Sequence, residues 1–245
     1  MKDGRLKIDD RLLDDASRRE YLIRLIACGM AGLVPAQLAQ AFWSSGPKKL
    51  PDDRSIQSLR GEVLVNDKPA DLDTRIYAGD RVETQARSEI VFAVGEDAFI
   101  LRSNSAMQID GENFFVKGMR LLSGALLTAL APRGAADGMS VTAATATIGI
   151  RGTGVYLEAE PDLTYVCTCY GQTSLASSAD PNESELISTT NHDMPRYITR
   201  EPINGSRIRP APVINHDDAE LKLLEAIVGR KVPKGFGKTG YSKSW

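Results

Sequence analysis

Residues 89–101 contain Glu89-Ile90-Val91-Phe92-Ala93-Val94, a break at Gly95, and then Ala98-Phe99-Ile100-Leu101. Both runs are short, apolar and rich in β-branched or aromatic side chains, and a turn residue separates them. That combination predicts β-strands rather than helix. The pattern extends in both directions. Glu62-Val63-Leu64-Val65 ends at Asn66-Asp67, and Ala106-Met107-Gln108-Ile109 lies between Ser103-Asn104 and Asp110-Gly111. Runs of this length spaced about a dozen residues apart predict an all-β sandwich, roll or short solenoid from Ser55 to about Ser178. Leu121 to Leu130 can be read as helix or as a bent strand pair. Gly118, Gly124 and the alternation around Leu122, Ala125 and Leu127 favour the strand pair.

Beyond Ser178 the character changes. Residues 179–214 are polar and carry Pro181, Pro195, Pro202, Pro210 and Pro212, which predicts an irregular arm. Residues 217–228 form the clearest helix of this region. Asp217 is placed to cap it, Glu220 completes a capping box, Leu221, Leu224, Ile227 and Val228 share one face, and Gly229 ends it. Arg230 to Trp245 is basic and glycine-rich and reads as a solvated tail.

The amino terminus reads as an address. Ser17-Arg18-Arg19-Glu20-Tyr21-Leu22-Ile23-Arg24 resembles a twin-arginine export motif; a moderately apolar stretch from Leu25 to Leu38 follows, then Ala39-Gln40-Ala41, a small-x-small cleavage pattern. Residues 1–41 are therefore expected to be a twin-arginine signal peptide and 42–54 a linker. Arg24, Pro35, Gln37 and Gln40 interrupt the run that a membrane span of about 20 apolar residues would need, so no stable span is expected after cleavage. The expected location is the periplasm, an oxidising compartment reached by proteins that fold, and often take up a cofactor, before export.

Composition excludes several classes. Hydrophobic residues make up 42% and charged residues 25% of the 245, which is globular rather than disordered, collagen-like or multi-span. The formal net charge of −2, or −3 without residues 1–41, lacks the basic excess of a nucleic-acid binder.

The β region resembles the FecR domain family of bacterial envelope proteins from about Ser55 to Leu175. Ile56 to Val65, with Gly61, looks like the family's opening strand pair. Ala78-Gly79-Asp80-Arg81-Val82-Glu83-Thr84 looks like its G-D-x-[IV]-x-T turn, and Leu121-Leu122-Ser123-Gly124-Ala125 like its L-x-x-G strand. Ala144-Thr145-Ala146-Thr147-Ile148-Gly149-Ile150-Arg151-Gly152-Thr153 is similar to its T-P-x-A-x-[IV]-x-[IV]-R-G-T stretch. The resemblance implies a sandwich or roll of short strands (residues 55–178), an envelope protein as partner, and in the best-known members control of a sigma factor. Only 16 residues precede Ser17 here, where those members carry a cytoplasmic portion before a membrane span; a free periplasmic form fits better. Arg151, Gly152 and Thr153 read as a structural turn, the glycine allowing a sharp bend and the guanidinium pinning it.

Three cysteines and two histidines occur in the whole chain, and Cys28 lies in the signal. Cys167 and Cys169 fall on a predicted strand, where residues two apart share a face. His192 lies in the arm and His216 at the start of the helix, each followed by an aspartate, Asp193 and Asp217. Two thiolates and two imidazoles form a ligand set for zinc, iron or copper, with the aspartates as candidate orienting partners of the rings. Two other readings stay open: a Cys167–Cys169 disulfide, and buried cysteines with surface histidines. The chain has no Gly-rich phosphate loop, His-Glu-x-x-His, Cys-x-x-Cys-His or Gly-x-Ser-x-Gly motif. The expectation is a non-enzymatic metal-binding or metal-sensing protein. The alternatives are an envelope signalling module without metal and a small metalloredox protein.

Overall fold

The computed structural model describes residues 48–133 and 138–237. The twin-arginine segment 1–41, residues 42–47 of the linker and the end of the basic tail lie outside the described residues. The strands in chain order are β1 (Ile56–Arg60), β2 (Val63–Val65), β3 (Lys68–Pro69), β4 (Arg81–Thr84), β5 (Glu89–Val94), β6 (Asp97–Leu101) and β7 (Ser105–Glu112), then β8 (Phe115–Ala129), β9 (Met139–Thr142), β10 (Ala146–Ala159), β11 (Leu163–Ser177), β12 (Ser184–Thr189), β13 (Arg196–Ile203) and β14 (Ser206–Pro210). The helix α1 (Asp218–Ile227) follows. The all-β class with one carboxy-terminal helix is as expected.

All fourteen strands belong to one sheet. Its main path runs β14-β13-β11-β10-β9-β8-β7-β4-β2-β3, with β6 joined to β8, β5 to β6, β1 to β5 and β12 to β11. Pairing is antiparallel except between β8 and β9. Residues 89–101 form a hairpin, with Ile90 opposite Leu101, Phe92 opposite Phe99 and Val94 opposite Asp97. These strands do not alternate apolar with polar because both their faces are covered. Ile90, Phe92, Val94, Phe99 and Leu101 enter the main core. Val91, Ala93, Ala98 and Ile100 enter a second cluster on the other face, beneath α1.

The 121–130 region is neither helix nor a strand pair. It belongs to the single fifteen-residue strand β8, which pairs first with β7 and then with β6 and β10, with a register shift opposite Ser123. The arm expected to be irregular instead carries β12, β13 and β14, which extend the sheet from β11. Its prolines are compatible with strands because of where they sit. Pro195 precedes β13, Pro210 ends β14, and Pro202 lies past the stretch of β13 that pairs with β11.

The Arg151-Gly152-Thr153 stretch is a bulge within β10 rather than a turn between elements. Register passes from Arg151 opposite Gln172 to Gly154 opposite Tyr170. Gly152 has φ of 55°, and a Cβ there would lie 2.8 Å from Pro132 Cα, so the position requires glycine. Arg151 is exposed. The bulge changes the phase of the strand. Ile148 and Ile150 face the main core before it, Val155, Leu157 and Ala159 after it, and Tyr156 turns to the α1 side. The paired strand β11 changes phase as well, with Leu175 and Val166 in the main core and Tyr165, Cys167 and Cys169 under α1.

Helix α1 begins as its sequence predicts. Asp217 accepts from the Ala219 and Glu220 amides, and Glu220 accepts from the Asp217 amide. Leu221, Leu224 and Ile227 are fully buried against the sheet, a contribution of about 1.5–3 kcal/mol each. Two buried carboxylates fix its position. Glu220 pairs with Arg102 at 2.6 Å, and Glu225 accepts from Tyr170 at 2.5 Å and from Arg230 at 2.6 Å. Arg102 also meets Glu89 at 2.8 Å, so its charge is matched from both the sheet and the helix. Among the described residues no helix is long and apolar enough to cross a membrane.

Candidate metal centre

Three segments supply the four sequence-selected ligands. Cys167 and Cys169 project from β11 on the face turned toward α1, as the period of two requires. His192 lies between β12 and β13 with φ of 58°, a left-handed conformation uncommon for residues other than glycine. Its amide donates to the Cys169 carbonyl at 3.0 Å, which pins the loop beside the cysteine strand. His216 immediately precedes the α1 cap. One ligand atom from each of the four residues lies within 4.8 Å of all the others, and all four side chains are buried. The two thiols are not bonded to one another.

The hydrogen-bond partners fix the ring tautomers. His216 Nδ1 lies 2.6 Å from the Ile214 carbonyl, which can only accept, so Nδ1 carries the proton. His192 Nε2 lies 3.1 Å from Asp218 Oδ1, so Nε2 carries the proton there. The remaining nitrogens, His192 Nδ1 and His216 Nε2, face each other at 3.0 Å, with the Cys167 sulfur 3.7 Å from His192 Nδ1. Two neutral rings so arranged would direct lone pairs at each other. A proton or a cation between them removes that repulsion.

Electrostatics across the cluster are polarised. Burial alone would raise the Cys167 thiol, but hydrogen bonds from Cys169, His192 and His216 outweigh it and hold Cys167 well below the usual thiol range. Burial and the neighbouring Cys167 push Cys169 well above it. Burial would lower His192, but the Cys167 contact and the Asp218 carboxylate outweigh it and raise it.

The aspartates next in sequence to the histidines do not orient the rings. Asp193 is exposed and accepts from the Thr189 hydroxyl at 2.9 Å. Asp217 spends its carboxylate on the helix cap. The orienting groups are Asp218 and the Ile214 carbonyl. Sequence reasoning also missed Tyr156, whose ring stacks on His216 at 4.5 Å and 20° and whose hydroxyl donates to Glu158 at 2.5 Å. Tyr165 is held far above the usual phenol range by burial and then by Cys167, so it stays neutral and donates to the Pro212 carbonyl at 2.9 Å.

No protein-family model matches the chain, and no curated protein matches it. Two solved structures of a candidate anti-sigma factor from Parabacteroides distasonis ATCC 8503 are similar to it, with TM-scores of 0.42 and 0.43 and 11% identity in each case. Each match covers 54% of this chain and 58% of that one, so it spans little more than half of either.

Proposed function

We propose that this chain is an exported, non-catalytic, metal-binding protein of the bacterial envelope. In this reading a FecR-like β domain holds one transition-metal ion through Cys167, Cys169, His192 and His216. The observation that carries it is the convergence of two buried thiols and two ring nitrogens, the nitrogens facing each other at 3.0 Å while the far side of each ring meets an acceptor. A carboxylate or carbonyl behind a histidine is the usual support of a ligating ring. With metal–ligand bonds of about 2.0–2.3 Å, the edges of a tetrahedral site are about 3.3–3.8 Å, so the four atoms need shifts of no more than about 1 Å to close on an ion.

Charge supports the same reading. A divalent ion with two thiolates and two neutral imidazoles is neutral overall, which a site this buried requires. Thiolate and imidazole together suit zinc, copper or iron. The ion would tie β11, the 190–195 loop and the start of α1 together. Arg18-Arg19 and Ala39-Gln40-Ala41 support export to the periplasm, and uptake of the metal before export would protect the thiols there.

The test is elemental analysis of protein isolated after export. One metal ion per chain, lost in Cys167→Ser, is the expected result. Protein without near-stoichiometric metal, together with Cys167→Ser and His216→Ala variants that fold like the wild type, would overturn the proposal.

A further inference from the structure

The segment after α1 returns across the metal centre. Pro233 to Gly237 forms a turn closed by the Phe236 amide on the Pro233 carbonyl at 3.2 Å. Phe236 is only 7% exposed although it lies in a basic, glycine-rich segment. Its ring sits 5.3 Å from that of His192 and 5.0 Å from that of Tyr170, in the same cluster as Cys167 and Cys169. Gly237 is fixed in two ways. Its amide donates to Asn191 Oδ1 at 3.1 Å, next in sequence to the ligand His192. A Cβ on Gly237 would lie 2.7 Å from Asp218 Oδ2, the second oxygen of the carboxylate that orients His192, and φ there is 73°. The strap therefore packs against the ring of one ligand and against the group that holds that ring.

We infer that Phe236 and Gly237 form a gate over the metal centre, and that metal enters and leaves only when this strap lifts. The inference rests on the proposed metal site. The four ligands are buried, whereas Asp218 at their edge keeps 17% of its side chain exposed. The approach to the ion thus lies on the side where Phe236 and Gly237 pack. Among the described residues the strap packs through the Phe236 ring against Tyr170 and His192 and through the Gly237 amide on Asn191, whereas α1 is anchored by two buried carboxylates and three buried aliphatic side chains. A surface turn held in this way opens locally, below the cost of global unfolding. Opening in this way sets the rate of exchange while leaving the four ligands, and so the affinity, intact.

The experiment is Zn2+ release from the metal-loaded exported protein to excess EDTA, compared with Phe236→Ala and Gly237→Ala. The first variant removes the plug. The second keeps it but forces the strap off Asp218. In the wild type the release rate should plateau as EDTA is raised, because opening limits it. Both variants should release Zn2+ about tenfold faster, and Phe236→Ala, which leaves Asp218 in place, should do so with equilibrium affinity changed by less than about threefold, as expected when only a local opening step is altered. Full Zn2+ occupancy with rates within about twofold of wild type would overturn the gate alone. Affinity of Phe236→Ala falling in proportion to the rise in its release rate would also overturn it, since the strap would then stabilise the bound state rather than gate it. A wild-type protein that takes up no Zn2+ and no other transition metal would defeat the metal site itself, a separate and recognisable result.

Discussion

His192 Nδ1 lies 3.0 Å from His216 Nε2, and the opposite nitrogen of each ring is committed to an acceptor, Asp218 for one and the Ile214 carbonyl for the other. Two rings brought together from segments 24 residues apart, with these nitrogens meeting beside two cysteines, form a group that could hold a metal ion. The arrangement makes several measurable demands.

Metal removal should destabilise the fold. At free metal about a thousandfold above Kd, binding contributes about 4 kcal/mol of stability. For a domain of this size that corresponds to roughly 8–16 °C in melting temperature. Calorimetry before and after chelation should show a fall of that order, and His216→Ala should melt at the chelated value whether or not metal is added. Acidification should release the ion, because thiolates and imidazoles must be deprotonated to bind.

Asp218 and Asp217 should separate cleanly. Asp218→Asn leaves the helix cap intact but weakens the hold on His192, and metal affinity should fall about 10–100-fold. Asp217→Ala should cost about 1 kcal/mol of stability through loss of the cap, with metal affinity little changed. Competition titration and chemical unfolding of the two variants test this. Equal affinity losses in both would contradict the assignment of Asp218.

Arg102 and Glu220 join sheet to helix as a buried pair at 2.6 Å. Arg102→Ala strands Glu220 and should cost about 3–5 kcal/mol. Exchanging both partners, Arg102→Met with Glu220→Leu, should recover much of that loss, and a double-mutant cycle by urea unfolding measures how much. Because Glu220 also closes the capping box, recovery should be incomplete.

Glu183 should give an acid-sensitive hairpin. It accepts from the Ser206 hydroxyl and from the Arg207 and Ile208 amides, and the Ser206 bond first, then the two amides, hold its carboxyl down from 4.5 to about 2. A lowered folded-state value means stabilisation that is present above the ordinary value and lost as pH falls from 4.5 toward 2. Amide protection factors in β14, taken against the intrinsic exchange rate at each pH, should fall across that window. Glu183→Gln should remove the pH dependence.

The cysteine half of the site was legible because a strand has a fixed period: Cys-x-Cys places two sulfurs on one face whatever the partner strands are. The histidines were legible by scarcity, since two in the whole chain left few alternatives. The orienting groups were not. Adjacency suggested Asp217, but a residue at a helix cap turns its carboxylate onto the first amides, which leaves Asp218 to face the ring. The strands β12 to β14 were hidden by polar composition and prolines, because edge and bulge positions tolerate both. Phe236-Gly237 was hidden in the same way, as a basic, glycine-rich stretch reads as solvent-exposed until the Phe236 ring is seen to pack against Tyr170 and His192. The all-β class was legible from residues 89–101 alone. That both faces of that hairpin are apolar is explained only by α1, which comes more than a hundred residues later.

One ion held by two sulfurs and two nitrogens would have a defined coordination shell. X-ray absorption at the edge of the metal that copurifies with the protein reads that shell. For zinc, the expected result is a four-coordinate shell of two sulfur scatterers at about 2.3 Å and two imidazole nitrogens at about 2.0–2.1 Å. A shell of oxygen and nitrogen alone, or one unchanged in Cys167→Ser, would contradict it.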